Sequence, residues 1–205
     1  MIRPMDLTPT RRSLHGIAEL LLAGPQFRTS GTIRLRITPG GFGQVGGPLR
    51  VEGVELVWAE GRAPLAGSYR ELAARAGTEP GRPEGVYSDS SGIGVDDEIV
   101  VDPAAVALLA AWFDTGEQAL RAFAPAVEPV LWPEHFDLAI SRDEVNYGVS
   151  PGDAGHEQPY AYVGPWSTER LREDPFWNAS FGAVHELAGA DTVAAFFREG
   201  AARTS

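Results

Sequence analysis

The first hydrophobic pattern in the chain has the period of a helix. Apolar residues recur three and four positions apart near the start of the sequence, at Leu14, Ile17 and Leu21. This spacing is typical of the buried face of an amphipathic helix. Thr8 followed by Pro9 resembles a helix start, and Gly24 followed by Pro25 resembles a helix end. We therefore predict an N-terminal helix between these two signals.

The clearest helical pattern lies in the middle of the chain. Asp102 and Pro103 form a start signal and Pro125 ends the pattern, because proline cannot continue a helix. Between them one face is apolar and contains Val106, Leu109, Phe113, Gly116, Leu120 and Phe123. A capping box at residues 68–71 predicts a shorter helix, and the apolar spacing after Asp191 predicts a C-terminal helix.

Elsewhere apolar and polar residues alternate, which is typical of strands with one buried face. The alternating segments are residues 32–38, 49–61, 136–141, 144–149, 160–164 and 180–186. Grouped strands with few helices between them, and without regular strand–helix alternation, favour antiparallel sheets. We predict a single α+β domain over residues 1–205, in which antiparallel sheet packs on a long central helix of about residues 103–124 and on N- and C-terminal helices.

The glycine-rich segment PGGFGQVGGP (residues 39–48) invites comparison with a phosphate-binding loop. It has no lysine, and no G-x-G-x-x-G pattern followed by a helix, so the features that cradle a phosphate are missing. We predict a mobile hairpin connection here.

Composition removes several classes of function. The net charge of −11 over 205 residues disfavours nucleic acid and anionic membranes as partners, because like charges repel at long range. The absence of cysteine excludes thiolate metal sites and a cysteine nucleophile. All 17 basic residues are arginine, which excludes a Schiff-base lysine and the Walker A loop. The arginine-rich bias, with abundant alanine, glycine and proline, suggests a GC-rich bacterial source.

Hydropathy gives no sign of membrane insertion or export. No apolar run approaches 18 residues, the length that a membrane helix needs. The first residues lack the apolar core of a signal peptide. We expect a cytoplasmic protein.

The hairpin predicted over residues 136–149 sorts its side chains onto two faces. Phe136, Leu138 and Ile140 share the face that we expect in the core. His135, Asp137 and Ser141 fall on the opposite face, which Asn146 joins across the strand pair. His-x-Asp on one face offers two metal ligands, or a base with its orienting carboxylate. The same side chains also suit local hydrogen bonds or contact with water, and the sequence leaves these alternatives open.

Two further features flank this hairpin. The segment GVSPGD (residues 148–153) has proline and glycine at the second and third positions of a type II turn, which explains it without a function. Five aromatic side chains follow, and they suit either a pocket wall or the core. They are Tyr160, Tyr162, Trp166, Phe176 and Trp177.

The order of these segments resembles a family of uncharacterised bacterial proteins that carry a domain of unknown function. The matching motifs are Trp-x-x-x-Phe-Asp-Leu-Ala, from Trp132 to Ala139, and Tyr-Ala-Tyr, from Tyr160 to Tyr162. The resemblance implies a fold layout and no reaction. It draws attention to Asp137 and the two tyrosines rather than to His135, which lies outside the shared motif.

We hold two expectations for function. In the first, the protein binds or converts a small molecule in a pocket on the sheet of residues 132–166. Asp137 and His135 would be the catalytic residues, with Asp137 as base or hydrogen-bond anchor. The ligand-binding residues would be Asn146, Tyr160, Tyr162 and Trp166. No metal site is assigned and the cofactor is unknown. In the second, the protein is a non-catalytic structural or interaction protein, possible as a homodimer, that uses an aromatic-rich sheet face as its interface.

Overall fold

The chain forms two compact units in the computed structural model, which describes residues 5–88, 90–167, 171 and 174–204. Unit 1 comprises Met1–Ala111 with Leu131–Phe136, and unit 2 comprises Trp112–Val130 with Asp137–Ser205. A single domain over residues 1–205 stays a prediction.

Unit 1 begins with continuous helical structure in three parts: α1 (Thr8–Gly16), a π-helical segment (Ile17–Ala23) and α2 (Gly24–Ser30). The predicted helix end at Gly24-Pro25 is wrong. In a π-helix each N–H reaches the carbonyl five residues back, so Pro25, which has no N–H, leaves the carbonyl of Leu20 without its helical donor. The backbone N–H of Gly81 donates to that carbonyl at 2.9 Å. A donor from another segment thus allows the helix to pass the proline.

The sheet of unit 1 is an antiparallel meander. Its consecutive strands are β1 (Leu35–Thr38), β2 (Gly41–Gln44), β3 (Arg50–Glu52), β4 (Glu55–Trp58) and β5 (Gly61–Pro64). Leu131 of β6 (Val130–Trp132) pairs with Leu35 on the other side of β1. Helix α3 (Tyr69–Arg75) follows the meander and has the predicted capping box, in which Ser68 and Glu71 each accept the other's backbone N–H.

The glycine-rich segment is not the mobile connection that the sequence predicts, because its centre is the buried strand β2. A Cβ atom on Gly43 would lie 2.6 Å from Cβ of Arg50, so the glycine permits close approach of β3. The buried amide of Gln44 donates to the carbonyl of Leu22 at 3.0 Å. This bond ties β2 to the π-helical segment.

Helix α4 (Pro103–Phe123) contributes its residues from Trp112 onward to unit 2. It begins as predicted, because the Asp102 carboxylate accepts the backbone N–H groups of Ala104 and Ala105 at 2.9 and 3.0 Å. The other elements of unit 2 are β7 (Asp137–Arg142), β8 (Val145–Ser150), β9 (Tyr160–Pro165), β10 (Ala183–Glu186) and α5 (Ala190–Thr204). The four strands pair antiparallel in that order. Asp143 and Glu144 join β7 to β8 with φ of +53° and +60°, as a type I′ turn requires.

Glycines bring the helices of unit 2 onto its sheet. A Cβ atom on Gly116 of α4 would collide with the methyl groups of Val149, and one on Gly200 of α5 would lie 2.8 Å from those of Val163. Leu138, Ile140 and Tyr147 are buried on the same side of the sheet. The predicted α+β class, with antiparallel strands packed on the long helix and with helices near both termini, is confirmed. Within the described parts of the chain, no helix combines the length and the apolar character that a membrane span requires.

Candidate functional site

His135 does not share a strand face with Asp137, so that part of the prediction is wrong. Strand β7 begins only at Asp137, and His135 lies exposed in the turn before it. Phe136 has φ of +53°, a left-handed conformation that breaks strand alternation. Its ring is buried in unit 1, stacked on the imidazole of His15 with the centroids 5.5 Å apart. The catalytic role of His135 stays a prediction. His135 is exposed in the turn before β7, so it does not form the predicted pair with Asp137 on one strand face.

Asp137 is buried and accepts a hydrogen bond from the hydroxyl group of Tyr162. Tyr162 lies on β9, two strands away, and its ring crosses the intervening strand β8 at Gly148, its partner in the register. A Cβ atom on Gly148 would lie 2.7 Å from both Cζ and the hydroxyl oxygen of Tyr162. The glycine is therefore the reason that the tyrosine reaches the carboxylate.

Burial and the Asp137 carboxylate together raise the pKa of Tyr162 well above its ordinary value. The phenol consequently keeps its proton and donates it to Asp137. The buried carboxylate accepts the hydroxyl group of Tyr162 and so orients the Tyr162 ring. Whether Asp137 also serves as a base stays a prediction.

Tyr160 faces a different carboxylate. Its hydroxyl group donates to Asp153 at 2.6 Å, while the other oxygen of Asp153 accepts the backbone N–H groups of Gly155 and His156 at 2.7 and 2.8 Å. Gly152 has φ of +93°, the left-handed value that the third position of a type II turn requires. Tyr160 is thus buried against the turn that follows β8, and the turn organises its own loop.

Asn146, Ser141 and Trp166 form a connected group at the open end of the same sheet. Ser141 pairs with Asn146 in the register, and its hydroxyl group donates to the side-chain oxygen of Asn146 at 2.7 Å. The indole N–H of Trp166 donates to that oxygen at 3.0 Å. Trp166 is 65% exposed. Its large apolar ring therefore faces solvent, and the hydrogen bond to Asn146 holds the ring in one orientation.

The remaining aromatic and histidine candidates lie apart from this group. Phe176 packs edge-on against Trp177 and tilted against Phe196 of α5. His156 contacts the ring of Tyr160, and His185 contacts Phe196. Among the described residues, no three His, Asp or Glu side chains are grouped so that they could hold a metal ion.

One buried acid was missed by reasoning from the sequence. Glu19 is 1% exposed in the π-helical segment and borders a cavity of unit 1. It is the one charged residue in the apolar stretch IAELLLAG (residues 17–24). The available signal was one of composition, a single acid within an apolar stretch, since carboxylates are rarely fully buried without partners.

Comparison of this chain with protein-family models, with curated proteins and with solved structures gives no match. The resemblance to a family with a domain of unknown function therefore stays a prediction. Any proposal for function rests on the geometry of the molecule.

The tyrosines give a first testable prediction. Burial is the largest cause of a raised pKa at each of the protein's five tyrosines, and it raises the pKa of Tyr69 to about 12. We expect no tyrosine to titrate near its ordinary value of 10.0 while the protein is folded. The absorbance of tyrosinate should appear together with alkaline unfolding, followed by circular dichroism.

The sign follows from proton linkage. The unfolded chain loses its phenolic protons first, so the free energy of unfolding falls as pH rises above about 10, by at most about 1.4 kcal/mol per pH unit for each tyrosine. Tyrosinate absorbance that develops near pH 10 with unchanged circular dichroism would contradict the burial of these phenols.

Proposed function

We propose that the protein binds a small molecule on the face of the unit 2 sheet that is opposite to α4 and α5, with Trp166 as the platform on which the ligand stacks. The observation that carries the proposal is the exposed indole fixed by its hydrogen bond to Asn146. An exposed tryptophan costs hydrophobic free energy in water, and a fixed ring loses little conformational entropy when a ligand covers it. Both effects favour ligand binding at this position.

The neighbouring groups suggest which ligand would fit. Asn146 and Ser141 supply polar groups beside the indole. Tyr162 belongs to β9, the strand that ends just before Trp166, and its ring packs edge-on against Phe181. Aromatic faces bordered by a few polar groups suit a ring with hydrogen-bonding substituents. We therefore propose a ligand with one flat or apolar ring face and a polar edge. Asp137 acts in this proposal as a positioning residue that holds Tyr162.

The test is a thermal-shift screen with sugars, nucleosides and aromatic acids, since a ligand that binds only the folded state raises the melting temperature. We expect hits on the natural chain to be lost in Trp166→Ala. Leu187→Ala is the matched control, because Leu187 is a 52% exposed apolar residue of the same unit and should keep the hits. Hits that survive unchanged in Trp166→Ala would refute the site.

An interaction surface is the second candidate, favoured by the joint exposure of Trp166 and Phe181, at 65% and 45%. Exposed aromatic residues are enriched at protein interfaces. Light scattering over a range of protein concentrations separates the two candidates. A homodimer whose mass falls to that of a monomer in Trp166→Ala would favour the interface. A monomer at all concentrations would favour the ligand site instead. A bacterial source and a cytoplasmic location remain part of the proposal.

A further inference from the structure

The side-chain amide of Asn146 has one orientation only. The indole N–H of Trp166 lies 3.0 Å from Oδ1 of Asn146, and an indole N–H donates a hydrogen bond but cannot accept one. The amide atom that it contacts must therefore be the oxygen, because an NH₂ group there would set donor against donor. Nδ2 of Asn146 has no acceptor among the described residues. Its two N–H groups are left to water or to a ligand.

The hydroxyl group of Ser141 is fixed by the same amide oxygen. It lies 2.7 Å from Oδ1 of Asn146, and because an amide oxygen carries no proton, the serine must donate. The lone pairs of Oγ are then the part of the hydroxyl group that a ligand can use. Ser141 is exposed and Asn146 is half-buried. The edge beside Trp166 thus offers two donors from Asn146 and one acceptor from Ser141.

Gly164 leaves space on the same face of the sheet. It pairs with Asn146 in the register, and paired residues of neighbouring strands share a face. A Cβ atom on Gly164 would have its nearest neighbours at 3.9 Å, in Phe181 and Tyr162, and its φ is not in the left-handed region. Neither close packing nor backbone conformation therefore requires glycine at this position. The absence of a side chain opens a notch above Gly164, between Tyr162, Phe181 and Trp166.

We infer that the ligand of this site carries a neutral carboxamide edge, in which a carbonyl oxygen lies beside an N–H group. The inference rests on the proposed function, in which the ligand ring stacks on Trp166. The carbonyl oxygen accepts from Nδ2 of Asn146 and the N–H donates to Oγ of Ser141, while the ring occupies the notch above Gly164. A carboxylate supplies no donor for Ser141 and an amine supplies no acceptor for Asn146, so neither satisfies both groups.

Three neutral probes of nearly equal shape test the inference: benzamide, acetophenone and α-methylstyrene. Acetophenone has a methyl group in place of the amide NH₂, and α-methylstyrene also has CH₂ in place of the carbonyl oxygen. Dissociation constants are measured from the shift of the Trp166 indole N–H resonance in the full chain. We expect the affinity to fall at least about threefold at each step, because each step removes one hydrogen bond. Stacking on an apolar surface alone gives the reverse order, since the more apolar probe gains more on leaving water.

Asn146→Asp identifies the donor. Aspartate keeps an oxygen that accepts from Trp166 and Ser141 but replaces Nδ2 by a second acceptor, so benzamide should bind at least about tenfold more weakly. α-Methylstyrene should bind as it binds the natural chain. Gln118→Glu is the matched control, because it makes the same change from amide to acid at an exposed position of α4. It should change the affinity for benzamide less than about twofold.

Two further variants separate the other contacts. Ser141→Ala removes the acceptor for the amide N–H and should abolish the preference for benzamide over acetophenone. Gly164→Val fills the notch with a side chain that suits a strand and should abolish the shifts caused by all three probes, with folding checked by circular dichroism. If Gly164→Val does not fold, Gly164→Ala serves instead. Probes that bind the folded Gly164 variant as they bind the natural chain would show that the ring does not lie in the notch.

Failure of this inference and failure of the proposed function give different results. Equal or reversed affinities of the three probes would overturn the carboxamide edge, and so would benzamide that binds Asn146→Asp as it binds the natural chain. In both cases a shifted Trp166 resonance keeps the stacking site. A Trp166 resonance that none of the probes moves, up to their solubility limits, would overturn the stacking site as well.

Discussion

Gly148→Ala should destabilise the protein by about 3 kcal/mol. The added methyl group would lie 2.7 Å from the backbone carbonyl of Leu138 and 2.7 Å from the Tyr162 ring. The carbonyl belongs to a paired strand and cannot move cheaply, so the ring must leave its position over β8. Tyr162 would then lose its hydrogen bond to the buried carboxylate of Asp137. Urea denaturation followed by circular dichroism measures the loss.

Gly189→Ala is the control for this experiment, because a Cβ atom at Gly189 has no neighbour within 4 Å. It should change the free energy of unfolding by less than about 0.5 kcal/mol. Combining Gly148→Ala with Tyr162→Ala removes the ring that clashes, so the double variant should cost less than the sum of the single ones. Additive costs would contradict the crossing of Tyr162 over Gly148.

Trp112→Ala should cost about 3–5 kcal/mol, the range for truncating a buried aromatic side chain. Trp112 is 2% exposed on α4, and its indole N–H donates to the carbonyl of Ser150 at 2.9 Å. Ser150 ends β8 and pairs with Tyr160 of β9. The residue therefore fills the core of unit 2 and also holds the strand end beside the turn.

Trp112→Phe separates the two contributions. Phenylalanine keeps most of the buried apolar area but leaves the Ser150 carbonyl without the indole donor, so we expect a cost of about 1–3 kcal/mol. Equilibrium denaturation of both variants gives the comparison. Equal costs for the two variants, or a cost below about 1 kcal/mol for Trp112→Ala, would show that the indole is not the buried donor described.

The regular elements of this protein could be predicted because their patterns are local. The stripe of α4, the Asp102 cap and the capping box at Ser68 each depend on neighbours within one or two turns. The helix end at Gly24-Pro25 was wrong for a non-local reason. The helix continues past Pro25 because the N–H of Gly81, in a distant segment, donates to the carbonyl of Leu20. No window of sequence around Pro25 contains that information.

The candidate site shows the same division. Strand alternation correctly places Ser141 and Asn146 on one face of the hairpin, because successive side chains of a strand point to opposite faces. It places His135 incorrectly, because one left-handed residue, Phe136, changes the direction of the chain just before β7. The hydrogen bond from Tyr162 to Asp137 spans three strands and depends on Gly148 in the middle one. The burial of Glu19 depends on a π-helix, which the α-helical periodicity of the sequence does not predict.

The central claim, that a ligand stacks on Trp166, is tested most directly by the indole N–H resonances of the five tryptophans. Trp166→Phe assigns the Trp166 resonance by its disappearance. We predict that a ligand identified by thermal shift moves this resonance in proportion to its occupancy, while the buried Trp112, bonded to Ser150, stays unchanged. A saturating ligand that leaves the Trp166 resonance in place and shifts that of Trp58 in unit 1 instead would contradict the claim.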